Sequence, residues 1–96
     1  MKVVGRDKLD AFCQLHADAR RPVANWLMEV KTASWSGPQD IKDRYSSASF
    51  LPGNQVVFNV KGNSYRLLVT VALRAGVVVV DRVGTHTRYD DLSLGR

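Results

Sequence analysis

The chain has 96 residues, of which 14 are lysine or arginine and nine are aspartate or glutamate, giving a net charge of +5 and a pI near 9.8. With 45% hydrophobic and 24% charged residues, it has the make-up of a folded globular domain, which excludes a disordered chain. One cysteine, Cys13, excludes an internal disulfide and a multi-cysteine metal site.

The first half reads as helical. Val3 and Val4 suggest a very short strand before Gly5. Asp7 can cap a helix from about Lys8 to Ala19, with Leu9, Phe12, Cys13 and His16 at helical spacing on one face. Pro22 suits the first turn of a second helix. There Val23, Trp26, Leu27 and Val30 form an apolar stripe. Ser36-Gly37-Pro38 ends that helix, and Gln39 to Tyr45 has room for one short helical turn. Trp26 and Trp35 read as core, Cys13 as a small apolar residue, and Tyr45 and Phe50 as loop anchors or base-stacking rings.

The second half reads as sheet. Pro52-Gly53-Asn54 is a turn, followed by strands at about Gln55–Lys61, Ser64–Leu73 and Val77–Val83, with Gly84 breaking the third. Asp90, Asp91 and Leu92 suggest at most a short final helix. Helices followed by a strand meander make an α+β fold in two layers, one domain over residues 1–96. The absence of an apolar leader or an apolar run of ~18–20 residues predicts a soluble, cytoplasmic protein with no membrane partner.

A two-residue loop at Gly62-Asn63 sets the register of the first hairpin. Val60 then opposes Tyr65, Asn59 opposes Arg66, Phe58 opposes Leu67 and Val56 opposes Val69. Period-two alternation puts Val56, Phe58, Val60, Tyr65, Leu67, Val69 and Val71 on one apolar face, expected to pack on the helices. The other face gathers Asn59, Lys61, Ser64, Arg66 and Thr70. It suits either a solvated sheet surface or a phosphate grip. In the second hairpin, a two-residue and a three-residue turn give opposite facings for Asp81 and Arg82, and both stay open.

The net charge points to a polyanionic partner. It is spread as +2 over residues 1–48 and +3 over residues 49–96, so a basic patch has to be assembled by folding. Gly84-Thr85-His86-Thr87-Arg88-Tyr89 concentrates a proton shuttle, a cation and a phenol just after the last strand. These suit RNA cleavage through the neighbouring 2′-hydroxyl, which needs a base, an acid and a cation at the phosphorane. They equally suit a structural His and Tyr closing off the sheet.

Two segments resemble the signature of the HigB toxins: Val57-Phe58-Asn59-Val60-Lys61-Gly62-Asn63-Ser64-Tyr65-Arg66-Leu67, then Val83-Gly84-Thr85-His86-Thr87-Arg88-Tyr89-Asp90. Trp26, Trp35 and Asp40-Ile41-Lys42 agree with the same pattern. The resemblance implies a RelE-like fold, with two N-terminal helices packed on an antiparallel three- to four-stranded sheet. It implies a metal-independent messenger-RNA interferase without cofactor, acting on translating ribosomes. Its partner would be a HigA-type helix-turn-helix antitoxin. Arg66, His86 and Tyr89 are carried over as catalytic, with Asn59, Lys61, Arg82 and Arg88 as RNA-binding. The chain departs from the pattern at Lys61, where relatives often have a small residue, and at Asp81, where they often have a basic one. The competing readings are a non-catalytic RNA- or ribosome-binding module and a gyrase-poisoning toxin of the ParE branch.

Overall fold

The computed structural model describes residues 1–62 and 64–85. Its elements are β1 (Lys2–Val4), α1 (Arg6–Leu15), a 3-10 turn (Ala17–Ala19), α2 (Arg20–Thr32), α3 (Pro38–Arg44), β2 (Ser49–Leu51), β3 (Gln55–Val60), β4 (Tyr65–Ala72) and β5 (Val77–Thr85). The α+β, RelE-like architecture is as expected, with a wider sheet. Five strands run in the order β1-β5-β4-β3-β2. β1 pairs in parallel with β5 while the other pairings are antiparallel. The additional strand is β2, which forms a hairpin with β3 around Pro52-Gly53-Asn54.

Gly5 makes the entry into α1 possible. Its φ is +91°, and a Cβ there would lie 2.9 Å from the Val80 carbonyl oxygen. The chain turns from β1 into α1 directly over β5, and only glycine fits both the backbone and the space. Gly5→Ala should therefore cost about 2–4 kcal/mol, read as a lowered melting temperature. Asp7 lies in the first turn of α1 and does not cap it.

The helix expected from Lys8 to Ala19 is broken at His16, whose backbone (φ −129°, ψ 84°) is not helical. Ala19 beyond the break is fully buried. Pro22 falls in the first turn of α2, where a missing N–H costs nothing. Pro38 opens α3 in the same way. The Asp40 carboxylate accepts bonds from the Ser36 N–H and hydroxyl, both 2.9 Å.

The register of the first hairpin is the expected one, from Val56↔Val69 to Val60↔Tyr65. All seven residues assigned to its apolar face are buried in the core, with Leu9 and Phe12 of α1 and Val23, Trp26 and Val30 of α2. Phe58 is fully buried. Its ring meets Trp26, Trp35 and Tyr45 at centroid distances of 5.4, 6.2 and 5.0 Å. Trp26 and Trp35 are thus core residues, and Tyr45 is an anchor whose hydroxyl donates to Glu29. Phe50 lies in β2 and is 43% exposed.

The second hairpin has neither of the turns considered. Its loop is four residues, Leu73 to Gly76, with Ala72 opposite Val77. That register holds to Val69↔Val80 and then shifts at a β-bulge to Leu68↔Arg82. Asp81 is the extra residue. The bulge sends Val78 and Val80 inward on one side and Val83 on the other, while two consecutive charged residues stay out of the core. It is pinned from both faces. Thr70 Oγ1 donates to the Asp81 carboxylate at 2.6 Å, and Lys8 Nζ donates to the Val80 and Asp81 carbonyls, each at 3.3 Å.

Candidate functional site

The face of the sheet turned away from the helices is built by the β3–β4–β5 register. Asn59 pairs with Arg66, and Arg66 pairs with Gly84. Paired residues lie about 4.5–5.5 Å apart at Cα, so the three form one cross-strand row. Gly84 does not break β5, which runs on to Thr85. A Cβ at Gly84 would meet nothing within 4 Å, so the row has open space beside the half-buried Arg66 side chain. The bulge makes this arrangement, because without it Arg66 would face residue 83 in place of Gly84.

The same face is less polar than expected. Val57 and Leu68 lie on it and are buried, with Leu51 packed against them. Arg82 pairs with Leu68 and is exposed on the open edge of β5. There it borders a cleft of about 500 Å³ with Lys8, Phe12, Leu15 and Val83.

Lys61 departs from the facing expected of it. β3 ends at Val60, and Lys61 takes a left-handed backbone conformation, φ 52°. Strand alternation therefore stops before it. Its ammonium turns towards the helices and pairs with the Asp18 carboxylate. Tyr65, one residue from Arg66, also donates its hydroxyl to Asp18. These bonds tie the end of the β3–β4 hairpin to the α1–α2 junction. His16 and Phe12 complete the contact, with His16 stacked on Phe12 at 4.3 Å and 5.4 Å from the Tyr65 ring.

The Lys61 and Tyr65 bonds hold the Asp18 carboxyl below its ordinary value of 3.8. A depressed carboxylate stabilises the fold above its unfolded pKa, and that contribution is lost as the pH falls through the lower native value. Asp18→Asn should therefore flatten the loss of melting temperature that the parent chain shows on acidification from about pH 5 to pH 2.5. The Asp18 bond likewise pushes the Tyr65 phenol up. Cys13 is half-buried, and burial pushes its thiol up, against a role as a nucleophile.

Of the residues expected to act, the structure brings Arg66 and Asn59 together, places Arg82 two pairs further along the sheet and holds Lys61 to the helices. His86, Arg88 and Tyr89, and the Asp90–Leu92 segment, lie outside the described residues. The Asp18–Tyr65–Lys61 contact was not anticipated. Its signal is an aspartate inside a stretch that otherwise reads as one continuous helix.

Residues 19–92 match the family described as HigB_toxin, RelE-like toxic component of a toxin-antitoxin system. The chain belongs to the HigB toxin family. A comparison with curated proteins finds no match. The matched span starts at the buried Ala19, takes in the whole Asn59–Arg66–Gly84 row and runs through the Gly84–Tyr89 segment. As the toxic component of such a system, a HigB toxin has an antitoxin as its partner. No helix among the described residues is long and apolar enough to cross a membrane.

Proposed function

We propose that this HigB toxin is a metal-independent endoribonuclease that cuts messenger RNA on the ribosome and so arrests translation. The observation that supports this most is the position of Arg66. Its cross-strand partner is Gly84, and the chain reaches His86 two peptide units later. The reading needs the Arg66 guanidinium and the His86 imidazole to act on one phosphate.

In this reading Arg66 holds the scissile phosphate through its forked donors and stabilises the charge that builds on it. His86 and Tyr89 divide the proton transfers. One proton leaves the 2′-hydroxyl as its oxygen bonds to phosphorus. The bond from phosphorus to the 5′ oxygen breaks, and a second proton neutralises that oxygen. The products are a 2′,3′-cyclic phosphate and a free 5′-hydroxyl. Asn59, Arg82 and Arg88 hold the flanking RNA, and Lys61 supports the turn beside them. The partner is a HigA-type antitoxin with a helix-turn-helix domain, and the site of action is the cytoplasm.

Induced expression with mapping of RNA 5′ ends tests the reading. New ends inside coding regions should appear as growth stops. Growth arrest with intact transcripts would overturn it in favour of a binding module or a gyrase poison.

A further inference from the structure

Asp18 is exposed, yet its backbone is firmly placed. It sits in the turn between α1 and α2, where the Ala19 N–H donates to the His16 carbonyl at 2.9 Å and Ala19 itself is fully buried. From there the two carboxylate oxygens reach two points of the facing hairpin. Oδ1 accepts from the Tyr65 hydroxyl and Oδ2 from the Lys61 ammonium. Lys61 and Tyr65 stand on either side of the turn between β3 and β4, which the Ser64 N–H closes on the Lys61 carbonyl at 3.1 Å. The Tyr65 ring is 7% exposed and meets Phe12 edge-on at 5.2 Å. The carboxylate thus holds a short stretch of backbone from both sides.

That stretch is where the proposed chemistry begins. Tyr65 and Arg66 are consecutive, and their side chains leave one backbone on opposite faces of the sheet. A shift of Tyr65 therefore moves Arg66. Tyr65 is also the cross-strand partner of Thr85, which directly precedes His86 in the chain.

We infer that Asp18 is a positioning residue of the ribonuclease: through Tyr65 and Lys61 it sets the place of Arg66 against the end of β5, and so sets the turnover rate. The inference rests on the ribonuclease reading. Asp18 lies on the helix side of the sheet, so it acts through its partners and not on the phosphate. Two features favour positioning over a tie that only stabilises. The Lys61 and Asp18 side chains are 43% and 51% exposed, and exposed ion pairs add little to stability. The rings packed on the buried Phe58 come from elsewhere, from Trp26, Trp35 and Tyr45, so the centre of the core does not depend on the Asp18 bonds. Rate, by contrast, is sensitive to small displacements, since misplacing a reacting group by about 1 Å costs up to about a hundredfold.

The test uses purified ribosomes loaded with a defined messenger RNA. The parent chain, Asp18→Ala, Tyr65→Phe and the double variant are compared for kcat and KM, each rate expressed per folded molecule from a melting curve. Asp18→Ala should lower kcat about tenfold, with KM within about twofold of the parent value. Tyr65→Phe should show part of that loss. The double variant should fall no further than Asp18→Ala, because both changes remove the same bond. Asp18→Asn, whose amide oxygen can still accept from Tyr65, should recover part of the rate. Parental kcat in Asp18→Ala, a change confined to KM, or losses that multiply in the double variant would overturn the inference alone. A parent chain that cuts no RNA would overturn the ribonuclease reading, and this inference with it.

Discussion

Replacing Arg66 with alanine should lower RNA cleavage by about two to three orders of magnitude while the protein stays folded. Removal of one well-placed donor to a developing oxyanion costs about this much in other enzymes. Arg66 sits between Asn59 and Gly84 on the sheet face away from the helices, outside the set of buried core residues. Its loss should thus remove a grip on phosphate more than it removes packing. Arg66→Lys should recover a small part of the rate, because an ammonium supplies charge without the planar fork. Cleavage of a defined messenger RNA on purified ribosomes, with a melting curve of the same protein preparation, separates the two effects. A rate within tenfold of the parent chain would place the phosphate elsewhere.

The largest loss of stability is expected for Phe58→Ala, about 3–5 kcal/mol. Phe58 has no exposed surface and joins α2, the segment before α3 and the end of α3 through its contacts with Trp26, Trp35 and Tyr45. Those rings come from three parts of the chain and cannot close together over a methyl group. In a domain of this size the loss corresponds to a fall of more than about 12 °C in melting temperature, and so to a protein near its unfolding limit at 37 °C. Unlike Arg66→Ala, Phe58→Ala should lose toxicity through its folded fraction. Cleavage per folded molecule at low temperature should stay close to that of the parent chain.

The contrast between these two residues follows what the sequence made legible. The core face of the first hairpin could be read residue by residue, because a two-residue loop and strict alternation leave one register that buries Val56, Phe58 and Leu67 together. The Arg66–Asn59 pairing followed from the same register. The second hairpin could not be read in that way. Its register changes at Asp81, and no single turn length reproduces a strand with two registers. A hint was present in Val80-Asp81-Arg82-Val83, where two adjacent charged residues interrupt a run of valines. That pattern suits a bulge, since both side chains can then leave the core. The missed bulge also explains the misreading of Gly84 as a strand end. β1 and β2 were hard to assign because three-residue strands show almost no periodicity and are fixed by their partners.

Lys61 shows a further limit. Its place in the sequence continues the alternation of β3, but the backbone passes into a left-handed turn at that residue. Its partner Asp18 is 43 residues away, a pairing that only the folded chain displays. The contact brings the helical junction and the hairpin end together near Arg66. Distant residues thus help to fix the site without forming part of it.

The most direct test of the account is the chemistry of the RNA ends. A defined messenger RNA loaded on purified ribosomes is incubated with the purified toxin, alongside the Arg66→Ala and His86→Ala variants, and the termini are analysed. The account predicts 2′,3′-cyclic phosphate and 5′-hydroxyl ends from the parent chain, and both products lowered at least about a hundredfold in each variant. Products with 3′-hydroxyl and 5′-phosphate ends, or full cleavage by either variant, would contradict it.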